Sequence, residues 1–235
     1  MAKQISAQEA AALVKDGMTI MVGGFLSVGG PNEVMHAIAE SGVKDLTLIC
    51  NDGGQPKLEH GVHELIHNGQ IKKMYATHIG INPEVGQKMN DGSMEVILVP
   101  QGSMAEKIRS GGYGLGGVLT PTGLGTPVGE EAGKPVYEIN GKEYLFEEPL
   151  RADIAFCYGT QVDKFGNVRF HGTTRNFNVV MATAADTVVM QADEIVDMID
   201  PDDVVVQGIL VDYVVDGGAN NGKRRNQSIY CKTCC

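Results

Sequence analysis

Three short turns in the sequence hold residue types suited to chemistry on a carbonyl or an anion. Ile20-Met21-Val22 runs into Gly23-Gly24-Phe25-Leu26-Ser27-Val28-Gly29-Gly30-Pro31, DLTLIC ends in Asn51-Asp52-Gly53-Gly54, and MEVILVP leads to Gln101-Gly102-Ser103. Glycine lets a backbone come close to a ligand because no Cβ intervenes. Uncharged donors such as Asn51, Gln101 and the N–H groups of residues 23–30 suit a developing oxyanion or a thioester carbonyl. Asn51 taken alone would be a loop-structuring residue. Three such turns on neighbouring strand ends point to one shared cleft that binds an anion or a carbonyl. No evident nucleophile accompanies them.

Other patterns fail on context. GYGLGG at 112–117 satisfies G-x-G-x-x-G, yet a helical pattern precedes it and none follows. His60, His63 and His67 fall at helical spacing beside Glu64 in HGVHELIH, which lacks the H-E-x-x-H order of a zincin. They are expected to be exposed helix residues, and no metal is assigned. Cys231 and Cys234 make a C-x-x-C followed by Cys235, with no second Cys/His pair at finger spacing. The sequence has neither a G-x-S-x-G elbow nor a Walker loop. Lys142 and Lys164 stand in hairpin-like contexts with no evident desolvation.

The elements that must position the turns follow from apolar periodicity. Ser6 and Glu9 fit a capping box before a helix in AQEAAALV, MTIMV and DLTLIC read as buried strands, and NEVMHAIAESG reads as a helix between Pro31 and Gly42. HGVHELIHNG, KKMYATHI, NPEVGQKMNDG and MEVILVP continue the alternation, and QGSMAEKIRSGG reads as a helix ending at Gly111-Gly112. The pattern predicts an α/β fold: a single open, mainly parallel sheet with helices on both faces. Sites in such sheets lie at the C-terminal strand ends, where the three turns fall. The stretch 113–135 holds too many Gly, Thr and Pro residues for regular structure, and YEINGKEYLFEEPL predicts a hairpin about Asn140-Gly141. ADIAFCYG, FGNVRF, VVMATAADTVVMQADEIV and VVVQGILVDYVV resume the organised pattern. Residues 1–216 are expected to form one domain, and 217–235 a polar, cysteine-containing mobile tail.

Composition narrows the function classes. A net charge of −10 opposes a nucleic-acid partner, and 6% aromatic residues with no Trp offer no base-stacking platform. No apolar run approaches the ~20 residues that span a bilayer, and MAKQISAQEAAALVKDG lacks a secretory apolar core. Five cysteines, an odd number, suggest no disulfide framework. A cytoplasmic location is the expectation.

The opening turn also resembles the signature of the family I coenzyme A-transferases. Asp16-Gly17, Ile20-Met21-Val22, Gly23-Gly24-Phe25, Gly29 and Pro31 fill that pattern, and DLTLICNDGG, HIGINPEVGQKM, VPQGSMAEKIRSGG, GGVLTPTGLGT, GKEYLFEEPLRAD and RNFNVVMATAADTVV continue the likeness over residues 10–215. It is most similar to the A, or α, subunits of the bacterial enzymes that act on acetoacetate, acetate and butyrate. The resemblance implies a CoA-transferase fold and ping-pong transfer of CoA from a short acyl-CoA to a free carboxylic acid. Acyl-CoA is then a substrate, and no permanent cofactor is expected. CoA would approach Gly23, Gly24, Phe25, Leu26, Ser27, Val28 and Gly29, Gln101 would contribute to the oxyanion hole, and Asn51 would lie near the substrate.

The family's nucleophile is a glutamate in a Ser-Glu-Asn-Gly-type string on the B, or β, subunit. This sequence has no such string, and Glu33, Glu106 and Glu130 stand elsewhere. The resemblance thus implies half of an enzyme, completed by a β subunit in an α2β2 assembly. The family's Asn-Phe-Asn is commonly followed by Pro, where this chain has Val179. Transfer with 3-oxoadipate or succinyl-CoA, a sugar-phosphate isomerase-like activity and a non-catalytic CoA-binding module stay open as alternatives.

Overall fold

Consecutive strand residues point to opposite faces of a sheet, so a strand that is apolar throughout must be covered on both sides. The computed structural model describes residues 2–130 and 133–218. The expected mobile tail and its cysteines lie outside those residues, apart from Gly217 and Gly218. In chain order the elements are β1 (Lys3–Ile5), α1 (Ala7–Ala11), β2 (Thr19–Val22), α2 (Asn32–Ser41), β3 (Leu46–Cys50), α3 (Val62–His67) and β4 (Ile71–Ala76). Then follow α4 (Pro83–Asp91), β5 (Glu95–Leu98), α5 (Gln101–Gly112), β6 (Val118–Thr120), α6 (Pro127–Glu130), β7 (Val136–Ile139) and β8 (Lys142–Glu147). The last are β9 (Ala152–Asp163), β10 (Val168–Arg169), α7 (Asn178–Met181), β11 (Ala185–Val196) and β12 (Tyr213–Asp216).

The large sheet runs β1-β12-β11-β9-β2-β3-β4-β5 with every neighbour parallel, and β10 adds an antiparallel pairing to the far end of β9. One core packs α1–α4 on Ile20, Val22, Leu46, Leu48, Ile154 and Phe156. The alternate residues Met21, Ile49, Ala155 and Cys157 face a second core under α5 and α7. The open, mainly parallel sheet covered on both faces is therefore as the sequence pattern predicts. Each fully buried aliphatic side chain contributes about 1.5–3 kcal/mol. The helix ends also follow the sequence: Ser6 and Glu9 close a capping box, Asn82 caps α4 ahead of Pro83, and Gly42 ends α2 at φ +74°.

Two expectations change. The stretch 113–135 is not wholly irregular: it contributes β6 and α6, because β8 offers Val118–Thr120 a ladder of hydrogen-bond partners that local propensity does not reveal. β6, β8 and β7 form a separate antiparallel sheet, and its hairpin turns at Asn140 and Gly141, both left-handed at φ +52° and +72°. The second change is β1, whose three residues carry no strand periodicity of their own and pair with β12.

The small sheet is fastened to the large one by a buried ion cluster. Glu147 at the end of β8, 1% exposed, takes Lys107 Nζ from α5 on one oxygen at 2.8 Å and Lys134 Nζ on the other at 2.6 Å. Burial raises the Glu147 pKa, but the hydrogen bonds and charges of the two lysines outweigh it and hold the carboxyl below its ordinary value. Glu147→Gln should destabilise the protein by about 3 kcal/mol, since it strands two partly buried ammonium groups. A depressed carboxyl stabilises above its unfolded pKa of about 4.3 and loses that stabilisation as pH falls through the folded value. The gap between variant and wild type in urea unfolding should therefore narrow in acid; equal midpoints at neutral pH would contradict the clamp.

Candidate functional site

The strand order reverses between β2 and β9: β2, β3, β4 and β5 build outward in one direction, and β9, β11 and β12 in the other. Such a switch point opens a crevice at the C-terminal strand ends. The glycine turn sits there. It leaves β2 at Gly23, whose N–H donates to the Phe156 carbonyl of β9 at 3.0 Å.

Inside the turn, Phe25 and Val28 exchange backbone hydrogen bonds at 3.0 and 2.9 Å across Leu26 and Ser27. Both central residues are left-handed, at φ +51° and +65°. A non-glycine residue there costs of order 1–3 kcal/mol, so the surroundings must impose it. Asp52, 4% exposed, does so: its Oδ2 accepts from Leu26 N at 2.9 Å while its Oδ1 accepts from Gly54 N at 2.8 Å. Ser27 Oγ accepts from Gln55 N at 3.2 Å. The turn after β3 therefore braces the turn after β2 directly.

A second brace comes from far along the chain. Asn178, fully buried at the start of α7, accepts from Tyr158 N with Oδ1 at 3.0 Å and donates through Nδ2 to Gly29 O and Thr174 O, each at 2.9 Å. Asn176 Oδ1 accepts from Gly24 N at 3.0 Å, and its Nδ2 donates to Val28 O at 3.1 Å. A Cβ on Gly23 would lie 1.8 Å from Asn178 Oδ1, and one on Gly29 would lie 2.5 Å from Thr174 O. Glycine at these positions is required by packing against 174–178. Val179, where the family commonly has Pro, occupies the first turn of α7, a position that accepts either residue.

These bonds revise the sequence reading of residues 23–30 as an array of free donors. The N–H groups of Gly23, Gly24, Phe25, Leu26, Val28 and Gly30 all donate within the fold, which leaves Ser27 N–H and Gly29 N–H without such a bond among the described residues. The hollow beneath the turn, lined by Gly23, Gly24, Ser27, Asp52 and Gly54, measures about 10 Å³, room for one water. On the outer face of the turn Phe25 is 43% exposed and packs edge-on against His78 at 5.6 Å.

Asn51 is buried at the end of β3, and its Oδ1 accepts from Thr77 Oγ1 at 2.9 Å. Its Nδ2 makes no hydrogen bond among the described residues. Gln101 is exposed as the first residue of α5. The expected neighbouring strand ends are only partly so: β4 separates β3 from β5. The residues that follow Gln101 open a cleft of about 550 Å³, lined by Gly102, Ser103, Glu106, Arg109 and Val118–Thr120. Glu106 is exposed and held by Arg109 at 2.6 Å. Burial pushes the Cys50 thiol well up and Cys157 up to about 12, so both are poor sources of thiolate.

The histidines are also rearranged. His60 precedes α3, which starts at Val62, so His60, His63 and His67 do not share one helix face. His67 is exposed and meets Glu84 at 3.3 Å, His63 is partly buried, and His60 turns toward His36 of α2. Sequence reasoning missed Asp52, Asn176 and Asn178 as braces. Asn176 and Asn178 were visible only as a motif, because their partners lie about 150 residues away.

A crevice walled by a glycine turn at the switch point of a parallel sheet is where open α/β folds place their ligands. The family model described as Coenzyme A transferase matches residues 4–217, and the chain belongs to that family. It is 46% identical over 215 residues to the acetate CoA-transferase subunit alpha of Escherichia coli K12, covering 91% of this chain and 96% of that protein. It is 47% identical over 203 residues to the acetoacetyl-CoA:acetate/butyrate CoA transferase alpha subunit of Clostridium acetobutylicum, covering 86% of this chain and 91% of that one. Among solved structures, an acyl-CoA transferase (YdiF) of Escherichia coli O157:H7 in a thioester complex with CoA matches with a TM-score of 0.80 and 25% identity. That match covers 92% of this chain and 47% of the other, so this chain spans about half of the larger polypeptide.

The contact between Gly23 and Asn178 is directly testable. Asn178→Ala should cost about 3 kcal/mol, because the buried Tyr158 N–H and Gly29 C=O each lose a partner at about 1–3 kcal/mol. Gly23→Ala should cost a similar amount in wild type and much less in the Asn178→Ala background, where the clash is gone. Additive penalties in urea unfolding would separate the two residues energetically.

Proposed function

We propose that the chain is the α subunit of a hetero-oligomeric CoA-transferase that moves CoA between short acyl-CoA thioesters and short free acids. The expected thioesters are acetoacetyl-CoA, acetyl-CoA and butyryl-CoA, and the acids acetate, butyrate and acetoacetate. The observation that carries this is near-complete alignment with α subunits of that type, 96% of one and 91% of the other. An α2β2 assembly in the cytoplasm is part of the reading. Among the described residues no helix is long and apolar enough to cross a membrane.

The nucleophile is a glutamate of the β subunit. It attacks the thioester carbonyl, the C–S bond breaks, and CoA leaves as thiolate from an acyl–glutamyl anhydride. The thiolate then attacks the glutamyl carbonyl, giving a glutamyl-CoA thioester and releasing the first acid. A second carboxylate repeats the sequence in reverse and departs as its CoA ester. Covalent catalysis divides one exchange into easier steps, and thioester replaces thioester. Each tetrahedral intermediate places negative charge on oxygen, which amide donors stabilise without adding a charge of their own.

In this reading Gln101 supplies such a donor from the α5 side and Asn51 Nδ2 another from the end of β3. The glycine turn acts chiefly as a shaped wall for CoA. Its Ser27 and Gly29 N–H groups are the donors left to a ligand.

Purified chain, with and without co-expressed β subunit, is assayed with acetoacetyl-CoA and acetate. Turnover should require both subunits. Activity of the chain alone would defeat the half-enzyme reading, and an inert complex across several acids would defeat the transferase reading. Within an active complex, Gln101→Ala should lower kcat about tenfold or more with a smaller effect on KM, by the measure of a lost oxyanion donor. An unchanged kcat removes Gln101 from the chemistry.

A further inference from the structure

Outside the crevice, two imidazoles and a carboxylate converge where α2 meets the start of α3. His36 Nδ1 lies 2.7 Å from Glu64 Oε2, and His60 Nδ1 lies 3.7 Å from Glu64 Oε1. The rings are 3.9 Å apart between centroids and tilted by 33°. One ligand atom from each of the three residues fits within a 4.8 Å span. His60 Nδ1 is buried and makes no hydrogen bond, although it points at the shared centre. The outward nitrogens face further carboxylates: His36 Nε2 is 3.6 Å from Glu40, and His60 Nε2 is 4.0 Å from Glu59.

We propose that His36, His60 and Glu64 bind a divalent transition metal of the zinc class, with the two Nδ1 atoms and one Glu64 oxygen as ligands. Two imidazoles and a carboxylate are a donor set that zinc accepts, with the fourth position left to water. Tetrahedral zinc at 2.0–2.1 Å from each ligand separates them by about 3.3 Å, so the 2.7 Å pair of His36 Nδ1 and Glu64 Oε2 opens and the rest of the 4.8 Å span closes when the ion enters. The inner nitrogens face the Glu64 carboxylate, while the outer nitrogens have Glu40 and Glu59 within ion-pair distance at 3.6 and 4.0 Å. Glu64 is itself fixed, since its Oε1 accepts from Gly61 N at 2.9 Å. Side-chain exposures of 34%, 18% and 20% for His36, His60 and Glu64 leave an entry path from solvent.

The site would tie α2 to the segment 51–61, which carries Asn51, Asp52 and Gln55 and so braces the glycine turn. The inference does not rest on the transferase reading, and its test reads binding rather than turnover.

The full chain is prepared with Cys231, Cys234 and Cys235 replaced by Ser, which removes the competing thiolates, and is stripped with chelator. Zinc chloride is titrated against a competing chromophoric chelator, and cobalt chloride is followed by visible absorption. One ion per chain, a raised Tm and cobalt d–d bands are expected. His36→Gln and His60→Ala should each weaken zinc binding about a hundredfold or more, beyond the loss typical of an outer-shell partner. His67→Ala, on the exposed side of α3, should leave it unchanged. If either variant fails to fold, zinc should instead protect His36 and His60 of the Ser-substituted parent chain from diethyl pyrocarbonate. No saturable binding, equal affinity in the folded His36→Gln and His60→Ala variants, an equal loss in His67→Ala, or no protection would reduce the cluster to an imidazole–carboxylate pair.

Discussion

The crevice depends on one buried polar contact, the side chain of Asn178 seated where Gly23 has no Cβ. Its Oδ1 satisfies Tyr158 N–H of β9 and its Nδ2 satisfies Gly29 O of the glycine turn, so a single amide ties a central strand to the loop beside it. In a low-dielectric interior such a network is strong when complete and costly when broken. Any side chain at position 23 would meet Asn178 Oδ1 first. The glycine usually read as an opening for ligand is, at this position, an opening for asparagine.

That inward commitment has a consequence for the chemistry. Most amides of the turn are engaged with Phe156, Asn176, Asp52 and the turn's own carbonyls, so the loop cannot serve as a broad oxyanion cradle. Its contribution is shape, fixed to the point that Leu26 and Ser27 hold left-handed backbones. In the proposed transferase reading, a developing oxyanion draws further help from side-chain amides placed on other strand ends. Asn51 and Gln101 are of the right type, and they are spread along the sheet rather than gathered at one strand.

Much of this was legible in the sequence for physical reasons. Strands buried on both faces must be apolar throughout, so β2, β3 and β9 declare themselves in MTIMV, DLTLIC and ADIAFCYG. Helix ends declare themselves through Ser6 with Glu9, Gly42 and Asn82-Pro83, because capping is local. The glycine turn was legible for the same reason. What stayed hidden depends on partners distant in the chain. β6 exists because β8 pairs with it, β1 because β12 does, and the roles of Asn176 and Asn178 are defined by residues near 23–29. The cluster of His36, His60 and Glu64 was hidden in another way: helical spacing grouped His60 with His63 and His67, whereas α3 starts only at Val62, after Gly61, and His60 stacks on His36 of α2.

Rigidity of the wall and breadth of the substrate are in tension, and the fold resolves it by separating them. The glycine turn is braced by Asp52 from one side and by Asn176 and Asn178 from the other, so neither its backbone nor its hollow of about 10 Å³ has freedom to accommodate different acyl groups. A wall of this kind can serve only the part of a substrate that never changes. In the proposed transferase reading, discrimination among acyl groups belongs to surfaces away from it, and the cleft of about 550 Å³ between α5 and β6 is large enough to take part. The buried cluster of Glu147, Lys107 and Lys134 fixes the two walls of that cleft to each other. On that reading, a fixed wall at the switch point and a separately clamped cleft at the sheet edge divide the tasks of holding a constant group and admitting a variable one.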